Sequence, residues 1–300
     1  MQLHRSFDES FNIINAVVTT GTFDGVHVGH QTILKRLIRS AKELKGESVL
    51  ITFNPHPRKV LYPDTIGKDL KLIHSQEEKI QQLATTGLDH LFIIPFTVEF
   101  SKINSFSFIE DILKGKLKAK KIIVGFNHHF GYHQEGDYNY LYELRKKFNF
   151  EVEEIPEQEV QHESVSSTKI RKALKEGNIG RVNAYLDHHY YILGQTYHPD
   201  NMESHDYQFI GIHVDEEEKL IPPAGIYAIK VEFNKLQIKC LLYISQVNSE
   251  LLLLINEEEK IPGEQPVKLL FYKLLDNNIQ PEYFKNQINK AKKEIEDLIY

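Results

Sequence analysis

Two histidines three positions apart, His27 and His30, flank Gly29 in the stretch GTFDGVHVGH at residues 21–30. They follow a β-branched run and precede a helical pattern, so they stand where a strand ends and a helix begins. A helix start offers backbone N–H groups without intrahelical partners and a partial positive charge, which together suit an anion. Gly29 lets the backbone approach a phosphate without a Cβ in the way. Imidazoles placed there can donate hydrogen bonds to phosphate oxygens whose charge grows during a reaction. Packing and metal ligation are the other readings of such a pair, and the strand-to-helix context favours phosphate chemistry.

A second cluster is SSTKIRKAL at residues 166–174. Ser166, Ser167 and Thr168 precede a helix that carries Lys169 and Arg171 in its first turn. One hydroxyl suffices for a cap, and a cation in the first turn opposes the helix dipole. A bound phosphate accounts for both features, and Arg171 could fork onto two of its oxygens. Asn54, Pro55, His56 and Pro57 (NPHP) form a stiff polar loop that reads equally as a strand-ending turn and as part of a site. The stretch GFNHHFGYHQEGDY at residues 125–138 is rich in His, Gly and aromatics, but its spacing fits no common zinc pattern. It suits an aromatic or nucleotide ligand better, with Phe130 stacking and Asn127 bonding a ribose or base edge.

These clusters need a scaffold, and the pattern supplies one. Strand-like runs at residues 15–20, 48–53, 91–95, 121–124 and 150–155 alternate with helical spacings at 31–44, 76–86, 106–113 and 138–148. Such alternation predicts an α/β fold, a Rossmann-like doubly wound parallel sheet. In that fold ligands bind beyond the carboxyl ends of the strands, where three of the four clusters fall. Two further helices are expected at 167–175 and 179–186. From residue 190 onward six strand-like runs follow without helices between them, which predicts a smaller antiparallel β-barrel closed by an amphipathic helix at 281–298. Clusters such as DEEEK and NEEEK read as solvated hairpin tips. The expected domains are 1–187 and 188–300.

Composition narrows the function classes. The 300 residues carry 36 Lys and Arg against 42 Asp and Glu, a net charge of −6, which disfavours sequence-independent nucleic-acid binding. A single cysteine, Cys240, excludes an internal disulfide and Cys-based zinc sites, and its strand-like context predicts a packed core thiol. No run reaches the roughly 18 apolar residues of a membrane span, and the N-terminus lacks a signal-peptide core, so a cytoplasmic location is the expectation. Neither nucleic acid nor membrane is an expected partner, and the sequence sets no oligomeric state.

The HxGH and SSTxxR elements in one α/β domain resemble the nucleotidylyltransferase superfamily. The longer words GTFDGVHVGH, TFNPHPRKVL, GFNHHFG and VSSTKIRKAL resemble the adenylyltransferase module of the bacterial bifunctional riboflavin kinase and FAD synthetase family. The resemblance covers residues 12–185 through motifs and the remainder through layout. It implies ATP and FMN as substrates, FAD as product, and Mg²⁺ brought with the nucleotide. It implies that Gly21, Phe23, Asp24, Gly25, His27, Gly29, His30, Ser166, Ser167, Thr168 and Arg171 serve ATP, with His27, His30 and Arg171 as the catalytic group. Asn54, Pro55, His56, Pro57, Asn127 and Phe130 would serve FMN. No protein metal ligand is implied.

The C-terminal half departs from that family. Its kinase domain carries the word GFPTAN, whose Thr and Asn help bind magnesium and nucleotide phosphates; here Phe209, Ile210 and Gly211 occupy the approximate place. The family's later glutamate base has its match at Glu250. Without an oxygen-ligand pair for magnesium, phosphoryl transfer loses its main charge neutraliser. The expectation is therefore an FAD synthetase whose barrel folds without phosphorylating riboflavin. The alternatives are a bifunctional enzyme with a rebuilt kinase site, a non-catalytic flavin- or nucleotide-binding regulatory protein, and a nucleotidylyltransferase with another acceptor.

Overall fold

The computed structural model describes residues 1–8, 11–160, 163–199, 208–247, 249–255, 261–279 and 284–298. By compactness the chain forms two units, one of Met1–Lys71 with Lys79–Val165 and one of Leu72–Glu78 with Ser166–Tyr300.

The first unit is built on a parallel sheet. Its strands are β1 (Gln2–His4), β2 (Val17–Thr20), β3 (Ser48–Asn54), β4 (His90–Pro95), β5 (Lys121–Gly125) and β6 (Glu151–Ile155), in the order β1-β4-β3-β2-β5-β6. Every pairing is parallel. The five sequence-predicted strands are all present; β1, three residues long, is too short to carry a period and joins only as an edge beside β4. Adjacent strand residues alternate between two apolar layers. Val18, Val49, Ile51, Phe92, Ile94, Ile122 and Val124 pack on one face with Phe108, Ile109 and Leu141. Val17, Leu50, Leu91, Ile93 and Ile123 pack on the other with Leu34, Leu37 and Leu83. A sheet apolar on both faces needs helices on both, which is the doubly wound arrangement. The order reverses at β2, between β3 and β5, and in sheets of this kind ligands bind beyond the strand ends at that switch point. A short antiparallel pair, β7 (Glu159–Val160) and β8 (Glu163–Ser164), completes the unit.

The second unit is a closed antiparallel barrel. Its strands are β9 (Tyr191–Tyr197), β10 (Gln208–His213), β11 (Gly225–Phe233), β12 (Leu236–Ile244), β13 (Leu251–Ile255) and β14 (Pro266–Asp276), in the order β10-β13-β12-β11-β14-β9. The helix Phe284–Leu298 lays Ile288, Ala291 and Ile295 on Ile226, Ala228, Leu241 and Leu254. The first residues of the helix expected at 281–298 and the NEEEK tip lie outside the described residues. Cys240 is buried in β12.

The compact units divide 22 residues before the pattern change at residue 187, between Val165 and Ser166. The physical reason lies in Asn183, on the helix Ile179–Leu186: its amide donates to the Phe271 carbonyl at 2.9 Å and accepts from the Tyr190 N–H at 2.7 Å. These bonds tie that helix to the barrel strands. Segment 72–78 also belongs to the second unit. There the Lys219 ammonium meets the Glu78 carboxylate at 2.5 Å, both side chains fully buried, and also donates to the carbonyls of Ile73 and Tyr191.

Candidate active site

The helix Val28–Glu43 starts immediately after the turn that leaves β2. His27 is its N-cap residue, with extended backbone and no side-chain cap bond, and no acidic residue lies in the first turn. A helix start of this kind suits an anion. The His27 and His30 rings stack at 3.7 Å and 18°, and Phe23 stacks on His30 at 4.5 Å and 27°. Burial first, then His27 and the Lys79 ammonium, hold the His30 imidazole well below its ordinary range. His30 is consequently neutral near pH 7, and its buried Nδ1 has no hydrogen-bond partner among the described residues.

The turn that shapes this stack is strained. Phe23 and Val26 have φ of +47° and +43°, and Gly25 has +89°. A β-branched residue in the left-handed region is costly, and it persists because Val26 is fully buried in the apolar layer. Asp24 is buried between them. At Gly29 an added Cβ would stand 3.2 Å from the His27 ring, so glycine leaves that ring its place. Gly21, at the end of β2, receives the same benefit from Phe23 at 3.1 Å.

The helix behind this start is held by charge. Arg36 donates to both carboxylate oxygens of Glu153 on β6 at 2.6 and 2.9 Å, and Lys121 of β5 adds a third contact at 2.6 Å. A bidentate, partly buried pair of this kind fixes orientation as well as adding energy.

The loop after β5 meets the end of β2 across the switch point. His128 Nε2 and Thr20 Oγ1 lie 3.1 Å apart. Burial, with a smaller contribution from His129, pushes the His128 imidazole down to about 4. Asn127 is exposed with φ +59°, and Phe130 pairs with Gly136 through two backbone bonds of 2.9 and 3.0 Å. The Phe130 ring packs 5.8 Å from Phe108, so it is partly absorbed by the core.

The NPHP element differs from a simple loop. Asn54 ends β3, the Asn54–Pro55 bond is cis, and His56 caps a short helix, Pro57–Leu61. The His56 ring nitrogen accepts from the Arg58 N–H at 3.2 Å. Proline at the first helical position has no N–H to leave unpaired, which is why the helix can start there. Asn54 and Pro55 are exposed.

In the second unit, Ser166 caps the helix Ser167–Lys175: its hydroxyl accepts from the Lys169 N–H at 3.4 Å. The cap uses one of three hydroxyls; Thr168 is exposed, while Ser167 and Arg171 are half-buried. Ile170, Ala173 and Leu174 face inward and fix the helix.

The barrel holds a cavity of about 540 Å³, bordered by Tyr197, His213, Glu216, Lys219 and Glu250. The Tyr197 hydroxyl donates to Glu250 at 2.6 Å. A Cβ on Gly211, its cross-strand neighbour, would stand 2.1 Å from the Tyr197 ring, so the ring occupies the space a side chain at 211 would need. Gly211, with Phe209 and Ile210, belongs to β10.

Lys79 and His128 are the site-proximal groups that sequence reading passed over. Lys79 stands four residues before the inward-facing Leu83, a spacing that places both on one helix face. His128 lay within a stretch already singled out, but its partner Thr20 is 108 residues away. Among the described residues no group of three or more His, Cys, Asp or Glu could hold a metal, and no helix is long and apolar enough to cross a membrane.

Residues 11–169 match the family model for FAD synthetase. The chain is 31% identical over 234 residues to the bifunctional riboflavin kinase/FMN adenylyltransferase of Listeria monocytogenes, covering 77% of this chain and 72% of that protein. The proteins so described from Bacillus subtilis and Escherichia coli are 32% and 28% identical, over 73% and 72% of this chain and 68% and 67% of theirs. A crystal structure described as a macrolide-efflux protein from Streptococcus pneumoniae shares the fold, with a TM-score of 0.84 and 22% identity over 99% of this chain and 97% of that one.

Proposed function

The chain belongs to the FAD synthetase family, among the bifunctional riboflavin kinase/FMN adenylyltransferases, and from that premise we propose that it transfers the adenylyl group of ATP to FMN in the cytoplasm, giving FAD and pyrophosphate. The observation that carries this reading is the His27–His30 stack at the start of a long helix beside the switch point. A phosphate oxygen of FMN, ionised at neutral pH, attacks the α-phosphorus of ATP, and the bond to pyrophosphate breaks. No general base is needed, and the protein's contribution is positioning and charge stabilisation. Magnesium enters with ATP as part of the substrate.

His27 and His30 hold phosphate oxygens as charge moves toward pyrophosphate. Gly21, Phe23, Asp24, Gly25 and Gly29 shape the turn around them. Ser166, Ser167, Thr168 and Arg171 are assigned to the same nucleotide, and Asn54, Pro55, His56, Pro57, Asn127 and Phe130 to FMN. Single variants in each group, measured for ATP and FMN binding separately, test those assignments.

We propose further that the barrel does not phosphorylate riboflavin. Phe209, Ile210 and Gly211 fall in the approximate place of the family's GFPTAN word, the Tyr197 ring fills the space a side chain at 211 would need, and Glu250 is engaged by Tyr197, which together support this reading. A second reading, in which both activities persist, draws on the same Glu250, because its carboxylate borders a cavity of about 540 Å³. Chromatographic product analysis decides both points. FAD from FMN and ATP supports the transferase, and its absence despite binding of both ligands favours a regulatory protein. FMN from riboflavin and ATP establishes the second reading.

A further inference from the structure

A lysine lies in the first unit beneath the turn that carries the imidazole stack. Lys79 is 8% exposed, on the helix Gln76–Ala84, whose Ile80 and Leu83 pack into the apolar layer. Its Nζ is 3.4 Å from the carbonyl oxygen of Thr22, which also accepts the Thr52 hydroxyl at 3.0 Å. Thr22 is the second residue after β2 and the fifth before His27. A buried ammonium is costly to keep charged, and it persists where its charge has a use or a partner. Lys79 is close enough to His30 to disfavour a proton on it, alongside His27 and burial, and Asp24 shares the same turn.

We propose that Lys79 is a positioning residue of the phosphate cradle. Docked on the Thr22 carbonyl from a separate helix, its ammonium fixes the turn before His27 and stands as a permanent positive charge behind His30. The cradle then meets a polyphosphate with charge already in place, and His30 serves as a neutral hydrogen-bond donor. This inference rests on the reading of the stack as the ATP-phosphate site. It adds a residue that neither the HxGH nor the SSTxxR element contains.

The test compares Lys79→Met, which keeps the stem's length, with Lys79→Arg, which keeps the charge. The His30 ring is titrated by NMR in the unliganded protein, and MgATP affinity is measured by calorimetry. The expected result is a His30 titration moved upward in Lys79→Met and near wild type in Lys79→Arg. ATP binding should weaken about tenfold in the first variant and be largely rescued in the second, the scale of one lost charge-assisted contact. A purely structural lysine would leave the His30 titration in place. An unmoved titration together with unchanged ATP affinity in Lys79→Met overturns the proposal. Absence of ATP binding by the wild type overturns the functional reading instead, and the titration still decides whether Lys79 governs His30.

Discussion

The rings of His27 and His30 stand 3.7 Å apart and nearly parallel, with Phe23 closing the far side of His30. Two imidazolium ions at that separation would repel, and His30 is held well below its ordinary range by burial and then by His27. The pair therefore meets its ligand with His30 neutral. Replacing one such donor typically costs about 10²–10³ in rate. His30→Ala should lower FAD formation by that order while circular dichroism stays native. Near-normal turnover in the variant would remove the stack from the phosphate site.

His128 should make the protein acid-sensitive in a defined window. Its folded-state value of about 4 lies below the 6.5 of an unperturbed imidazole. Between those values the unfolded chain binds a proton that the folded protein does not, so stability falls as pH drops from about 6.5 toward 4. The full span is worth on the order of 3 kcal/mol. Urea midpoints of wild type and His128→Gln, measured across this range, should show the smaller acid loss in the variant. Parallel curves would place the sensitivity elsewhere.

The Tyr197–Gly211 contact in the barrel makes a reciprocal prediction. Gly211→Ala drives a Cβ into the Tyr197 ring and should cost about 1–3 kcal/mol, because overpacking forces the ring from its place. It should also break the Tyr197–Glu250 hydrogen bond. Adding Tyr197→Ala should recover part of the loss, a coupling visible in a double-mutant cycle. Additive losses would show that the ring does not constrain position 211.

Removing Lys219 should unfold the second unit more readily than most core changes. Lys219→Ala leaves the Glu78 carboxylate buried without its cation, a defect of about 3–5 kcal/mol. Glu78→Gln in the same chain should restore much of that stability. A thermal midpoint unchanged by Lys219→Ala would mean that the backbone donors of Ser75 and Leu193 satisfy Glu78 alone.

Much of the scaffold was legible because it follows from local periodicity. Val49, Leu50 and Ile51 fall alternately on two apolar faces, and uninterrupted apolar runs of that length between helical spacings admit few folds besides a doubly wound sheet. The barrel was legible for the same reason, as successive strands without helices. The short helix Pro57–Leu61 was hidden behind two prolines that read as a turn, and β1 was too brief to show a period. The compact division before Ser166 depends on Asn183 bonding Phe271, 88 residues away, which no local pattern encodes.

The amino-acid order alone determined the elements and the words they carry: a glycine between two imidazoles at a helix start, and three hydroxyls before an arginine. It did so because periodicity, capping and turn chemistry act over a few residues. Tertiary structure decided which groups meet. It set Phe23 on His30, His128 on Thr20, Lys79 under Thr22 and Tyr197 against Gly211, and it lowered the His30 and His128 imidazoles through burial. Those are effects of distance and desolvation between parts of the chain remote in sequence, and only the folded packing fixes them.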